Sequence, residues 1–274
     1  MPHLVFDIET ITDTSLWTPP KPAAPEEPGA CTCVPAPTGL AKHKRGCPSQ
    51  KKAKPVKAPE DVFAPLHAHR PIAIGMVVLG DDLVLAPNGL GVIGTSMFGD
   101  DERALLAAWS TYVEQHRPKL VSFNGRGFDL PVLSLRAMRL GVPMTWYVGD
   151  YRHRYNGDHT DLFDYLTDFG AVSRRTGFAL DDMAQLIGLA SKGDTSSQVG
   201  KLWAEKQAAK IEAHCLADVA RTAFLFMRAS LLRGRITLEQ YRLAASTLFN
   251  TMMTALGQSS GLFGADPKIL MLQD

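Results

Sequence analysis

At 274 residues, with 45% hydrophobic side chains and a net charge of +1, the chain can bury a full core. It lacks the basic excess that would capture nucleic acid by charge alone. Its longest apolar run, Ile72 to Leu79, has the length of a buried strand and falls short of the roughly 18 residues that suggest a membrane helix, so no membrane association is expected. The four cysteines, Cys31, Cys33, Cys47 and Cys215, come without a recognisable secretion signal, because a functional-looking motif starts almost at Met1. The expectation is a cytoplasmic protein whose clustered cysteines bind metal rather than form disulfides.

The first predicted element is a strand over residues 3–9. Its alternation sends Asp7 and Glu9 to one side and Phe6 and Ile8 to the other. Two carboxylates aimed from one rigid strand suit hard, oxygen-binding cations such as magnesium or manganese. An edge strand with a solvated acidic face would give the same hexamer. Composition then changes: residues 18–62 are crowded with proline, and Lys42, Lys44, Arg45, Lys51, Lys52, Lys54 and Lys57 follow one another with no intervening acid. Residues 17–65 therefore read as an inserted basic loop, either solvated and flexible or a phosphate-contacting arm. Within it, Cys31, Cys33, His43 and Cys47 offer three thiolates and an imidazole. They form a candidate structural zinc site that would pin a segment with no core of its own. The Cys-x-Cys gap is tighter than the usual two-residue spacing, and unliganded thiols are the alternative.

Strands are predicted again over 72–79 and 83–86, with His67, His69 and Arg70 ahead of them, expected at the surface. The spacing predicts a helix over 100–116, with Leu105, Leu106, Trp109, Tyr112 and Val113 as its apolar stripe. A short buried strand over 120–123 delivers the chain to the turn Asn124-Gly125-Arg126-Gly127. A helix over 129–140 follows, closed by Gly141. Asp129 at the mouth of that helix can serve as its cap or, lying outside a strand end, belong to a ligand site. Asn124 could hold the turn or bond a substrate, and Phe128 is expected in the core. Arg152-His153-Arg154 and Arg174-Arg175 are basic turns that could track phosphates.

Helical patterns dominate the rest, over 161–169, 180–187, 198–206, 208–232 and 238–256. His214 and Asp218 are four apart and share a helix face. That pair suits metal-assisted attack by water, with the histidine orienting or deprotonating the water; a surface contact is the alternative. Glu212 is expected to face solvent. Strands early, helices late and a βα unit between them indicate a mixed sheet flanked by helices.

Three segments together resemble the ExoI, ExoII and ExoIII motifs of the DEDD 3′–5′ exonucleases. They are most similar to the bacterial branch related to the exonuclease domain of family B DNA polymerases. Asp7 and Glu9 match D-x-E of the first motif, Asn124 and Asp129 the N-x(4)-D form of the second, and Asp218 the final aspartate. Asp161-Leu162, Phe169-Gly170-Ala171, Leu180-Asp181, Gly188, Lys192-Gly193, Cys215, Thr222, Arg228 and Gly234 also stand where that branch places such residues. The resemblance covers about residues 3–16 and 66–240. One position departs: His214 fills a slot where the branch has tyrosine, and the sister branch places its histidine one residue further from the aspartate.

The resemblance implies a ribonuclease-H-like α/β domain over 1–240, interrupted by the loop at 17–65, with a helical C-terminal extension and tail over 241–274. It implies two magnesium or manganese ions held by Asp7, Glu9, Asp129 and Asp218, with Asp7 bridging. One ion would activate water and the other stabilise the leaving 3′ oxygen. His214 would assist the water, Thr10 and Asn124 would contact the terminal nucleotide, and Arg152 and Lys192 join them as candidate substrate contacts. The implied activity removes nucleotides from the 3′ end of single-stranded DNA. The same chemistry on RNA, and a catalytically silent nucleic-acid-binding module, are the alternatives. No polymerase domain is evident, so a proofreading role would need a separate polymerase or repair partner.

Overall fold

The alternation of the first residues is realised in the middle of a sheet, not at its edge. The computed structural model describes residues 1–20, 63–172, 178–191, 198–257 and 264–273. Met1–Asp13 with Leu66–Asp274 make one unit and Thr14–Pro65 a second. The four zinc candidates Cys31, Cys33, His43 and Cys47, the basic run between Lys42 and Lys57, Arg174, Arg175 and Lys192 all lie outside the described residues.

In chain order the elements are β1 (His3–Thr12), β2 (His69–Leu79), β3 (Leu85–Gly94), α1 (Thr95–Phe98), α2 (Glu102–His116), β4 (Lys119–Ser122) and α3 (Asp129–Leu140). There follow β5 (His159–Asp161), α4 (Leu162–Leu166), α5 (Leu180–Leu186), α6 (Gln198–Ala204), α7 (Ala208–Leu232), α8 (Leu238–Leu256) and α9 (Pro267–Met271). The strands run in the order β3-β2-β1-β4-β5. β1 pairs antiparallel with β2 and parallel with β4. β3 adds antiparallel to β2, and β5 parallel to β4. With neighbours on both sides, β1 is not a solvated edge strand. Among the described residues, no helix is long and apolar enough to cross a membrane.

The two faces of β1 carry different cores. Leu4, Phe6 and Ile8 pack with Leu105, Leu106, Trp109 and Val113 of α2 and with Leu130 and Leu133 of α3. Val5, on the opposite face, joins Val77, Val121, Ala220, Ala223 and Phe224, and the Tyr241, Ala244 and Leu248 face of α8. The odd-numbered residues of β1 therefore look toward α7, which runs beneath the sheet and carries its buried stripe for most of its length.

Local signals set several boundaries. The Asp101 carboxylate accepts from the Ala104 N–H at 2.9 Å and opens α2. Gly141, at φ 64°, closes α3. Thr237 and Gln240 form a reciprocal capping box at the start of α8. β3 runs well past the predicted 83–86: Pro87-Asn88-Gly89 falls opposite the irregularity between Val77 and Leu79, on an edge strand where a missing N–H is tolerated. Residues 159–161, predicted in part as a helix start, form β5, and the helix begins only at Leu162.

Candidate active site

Asp7 and Glu9 leave β1 on the α7 side, and the register places Gly75 of β2 directly opposite Asp7. That glycine lets the helix approach. A Cβ there would stand 2.8 Å from Val219 Cγ2, 3.0 Å from Cys215 Sγ and 3.2 Å from the Cys215 backbone carbon. Instead, the Gly75 N–H donates to Cys215 Sγ at 3.1 Å, and the thiol lies 3.4 Å from the Asp7 carbonyl, to which it donates. Burial, with the Asp7, Glu9 and Asp218 charges adding, pushes that thiol well above its usual pKa, so it remains a neutral donor. α7 is thus fixed against β1 and β2, and Asp218, three residues beyond Cys215, reaches the β1 acids. One carboxylate oxygen from each of Asp7, Glu9 and Asp218 lies within 4.8 Å of the others. All three side chains are half-buried. Hard oxygen donors from a rigid strand and a rigid helix, not fully buried, fit a hard divalent cation.

Asp129 does not join that group of three. It is buried at the first turn of α3, where Phe128 occupies the cap position without a side-chain cap bond. Its Oδ1 accepts from the Ile8 N–H at 3.2 Å. The β1–β4 pairing ends at Val5, so the carboxylate satisfies a strand N–H that has lost its ladder partner. It therefore lies against the residue after Asp7 rather than capping its own helix. Burial, reinforced by the Asp161 charge, raises its pKa to about 7.

The turn before Asp129 has an organiser that sequence reasoning missed. Asp161, at the end of β5, accepts from the N–H groups of Asn124 (2.8 Å), Arg126 (2.9 Å) and Phe163 (3.0 Å). Asn124 sits in the left-handed region at φ 63°, and its carbonyl accepts from Gly127 and Phe128. A Cβ at Gly125 would stand 2.6 Å from Ser122 Cβ, so the tight passage requires glycine. Only the quoted Asp161-Leu162 pair could have marked this acid; a three-residue strand leaves no periodicity to read.

Ser122 Oγ meets His159 Nε2 at 2.8 Å, and His159 is fully buried. Burial, with Arg126 adding, lowers the His159 pKa to about 3 from 6.5. Its folded-state value is depressed, so the neutral imidazole contributes stability in full above pH 6.5 that is lost as pH falls toward 3. Urea midpoints at about pH 7 and pH 4.5 should fall more for the parent than for His159→Gln, by roughly 2 to 3 kcal/mol of unfolding free energy. Equal acid losses in the two proteins would show that His159 does not stay neutral.

Other predicted residues separate. Thr10 Oγ1 meets His69 Nδ1 at 2.9 Å, next to the register shift that follows Glu9. His69 is buried and lies edge-on to Phe128, with ring centroids 4.9 Å apart, so the surface expectation for it is corrected: it is the first residue of β2, not of a loop. Arg70 lies near Glu102 and over the Trp203 ring. Glu212, expected to face solvent, is half-exposed beside Gly94 and accepts from the Ser96 N–H at 2.8 Å. His214 is half-buried one turn before Asp218. Arg152 is exposed, and its carbonyl accepts from Arg126 Nη1 at 3.2 Å. Arg221, fully buried on α7, bonds Asp181 at 3.2 Å and the Ala190 carbonyl at 2.9 Å, and its guanidinium lies 4.0 Å from Asp218. Spacing gave no warning of that arginine.

A five-stranded sheet with two antiparallel strands, a parallel pair beyond them, flanking helices and acids on the central strand defines a ribonuclease-H-like α/β protein. Residues 61–262 match the family described as "Predicted 3'-5' exonuclease related to the exonuclease domain of PolB". The chain belongs to that family and is an exonuclease of this kind. β1, with Asp7 and Glu9, precedes the matched span. A search of curated proteins found no match. Among solved structures, the chain is similar to the family B DNA polymerase from the hyperthermophilic archaeon Pyrobaculum calidifontis, at 17% identity and a TM-score of 0.47. The similarity covers 99% of this chain and 28% of that one, so the chain spans little more than a quarter of that polymerase.

Proposed function

We propose that the protein removes nucleotides from the 3′ end of single-stranded DNA, using two magnesium or manganese ions held by Asp7, Glu9, Asp129 and Asp218. The observation that carries this reading is the convergence of three carboxylate oxygens within 4.8 Å from a strand and a helix far apart in sequence. Bound divalent cations would supply an activated water and neutralise charge on the phosphate and the leaving oxygen. Asp7 and Glu9 fix two donors on one rigid strand, and Asp218 closes the set from α7. Asp129 lies one residue along from Asp7, bonded to Ile8, and completes the four acids as its carboxylate ionises. His214, one turn before Asp218, orients the attacking water or takes its proton. Thr10, fixed by His69, and Asn124, at the Asp161-braced turn, hold the terminal nucleotide; Arg152 and Lys192 contact the phosphates behind it.

Incubating the protein with 5′-labelled single-stranded DNA and RNA, with each divalent ion in turn, tests the proposal. The expected result is a ladder that shortens from the 3′ end, faster on DNA, and stops on chelation. Faster loss of RNA would reassign the substrate, and 3′ ends left intact by a protein that binds them would make it a binding module. His214→Ala should lower kcat about 10- to 100-fold, less than loss of an acid. An unchanged kcat would remove this histidine from the reaction.

A further inference from the structure

The segment that Arg126 ties to the Asn124–Gly127 turn carries one half of an exposed aromatic pair. Tyr155 is 82% exposed and Phe169 49% exposed, and their ring centroids lie 5.8 Å apart at 55°. Neither ring belongs to an apolar cluster among the described residues. The backbone that presents Phe169 is unusual. Asp168 and Phe169 both adopt left-handed φ values, 50° and 55°, and Gly170 follows at 92°. Consecutive non-glycine residues in that region are costly and persist only where the surroundings hold them. Here the Phe169 N–H donates to the Asp164 carbonyl at 2.7 Å, the Val172 N–H donates to the Thr167 carbonyl at 3.0 Å, and buried Thr167 donates to the Phe163 carbonyl at 2.7 Å. A constrained loop thus carries a large ring into solvent.

Charge and connectivity point to the occupant. The Arg154 guanidinium lies 5.7 Å from the Phe169 ring centroid, held by both Asp164 oxygens at 2.8 and 2.6 Å. Arg152 and His153 are exposed on the same turn. The turn is bonded to the proposed site: Arg126 donates to the Arg152 carbonyl and the His159 carbonyl, and its backbone N–H is fixed by Asp161. Exposed rings interleaved with basic side chains take the stacked bases and phosphates of a single strand.

We propose that Tyr155 and Phe169 form a stacking platform for bases upstream of the 3′ terminus, with Arg152 and Arg154 at its phosphate side. The inference rests on the nuclease reading and names the path of its substrate. Every base has a ring face, so the platform holds strands of any sequence and sets affinity for length rather than for base identity.

The test compares the parent protein with Tyr155→Ala/Phe169→Ala, using a dinucleotide and an oligonucleotide of about 12 nucleotides carrying 2-aminopurine upstream of the 3′ end. The double variant should raise KM for the long strand about tenfold or more while leaving dinucleotide cleavage and the thermal midpoint unchanged. Stacking in the parent protein should quench 2-aminopurine; the variant should not, and Tyr155→Phe should restore most of the quenching. Unchanged KM for the long strand, an equal loss on both substrates, or no quenching by the parent would overturn the platform. Quenching that disappears in the double variant, in a protein that cleaves neither substrate, would uphold the platform and sink the nuclease reading.

Discussion

Asp7→Ala is expected to lower kcat by about 10³-fold or more, because it removes one of the three carboxylates that converge within 4.8 Å. Asp218→Asn should be nearly as severe while preserving shape. Loss of the Asp7 charge has a second, opposite effect. Three carboxylate oxygens within 4.8 Å repel one another when no cation is present. Removing the Asp7 charge from this half-buried group relieves at least roughly 1 kcal/mol per pair, the value at water-like screening. In chelator, Asp7→Ala should therefore unfold at a slightly higher temperature than the parent protein, whereas Asp218→Asn should not, because it also weakens the pairing with buried Arg221 4.0 Å away. With excess magnesium the order should reverse, because binding to the folded state stabilises only a competent site. Retained activity in either variant, or an identical response of both proteins to magnesium, would contradict the assignment.

The second large effect lies away from the acids. Gly75→Ala should destabilise the fold by about 2 kcal/mol and lower kcat roughly 100-fold, although residue 75 carries no chemistry. Its new Cβ would meet Val219 Cγ2 at 2.8 Å and the Cys215 backbone at 3.2 Å. A methyl group can rotate aside, but helix backbone cannot, so α7 must shift and carry Asp218 away from Asp7. Val219→Ala in the same chain should restore part of the stability and less of the activity, because the backbone contact remains. Urea unfolding and single-turnover rates read the two effects separately. Full recovery of both in the double variant would show that the helix never moved.

Much of this arrangement was legible from short-range signals. Alternation placed Asp7 and Glu9 opposite Phe6 and Ile8, and those two residues do enter the α2–α3 core. Helical periodicity and end signals gave α3, α7 and α8 with the bounds observed. What escaped depended on contacts between distant segments. β5 is three residues long, and Asp161 gains its role only where β5 lies beside β4 and presents an acid to the turn after it. The same is true of His69: read beside Arg70 it suggests a surface, yet pairing with β1 draws it under Thr10 and against Phe128. Glu212, read from its own helix alone, gave no sign that it would accept from the Ser96 N–H beside Gly94. β3 was expected only over 83–86, because local chemistry cannot reveal that Pro87 lies on an edge strand, where its missing N–H is tolerated. Asp129 matched its motif, but its bond to Ile8 follows from where β4 stops pairing.

Everything turns on whether residues distant in sequence hold cations together. Diffraction at the manganese absorption edge, from crystals of the protein grown with that ion, addresses this directly. The expected map has one anomalous peak bound by oxygens of Asp7, Glu9 and Asp218, and a second beside it within reach of Asp129. Density for the protein with no such peak, or manganese bound only at residues elsewhere, would contradict the account.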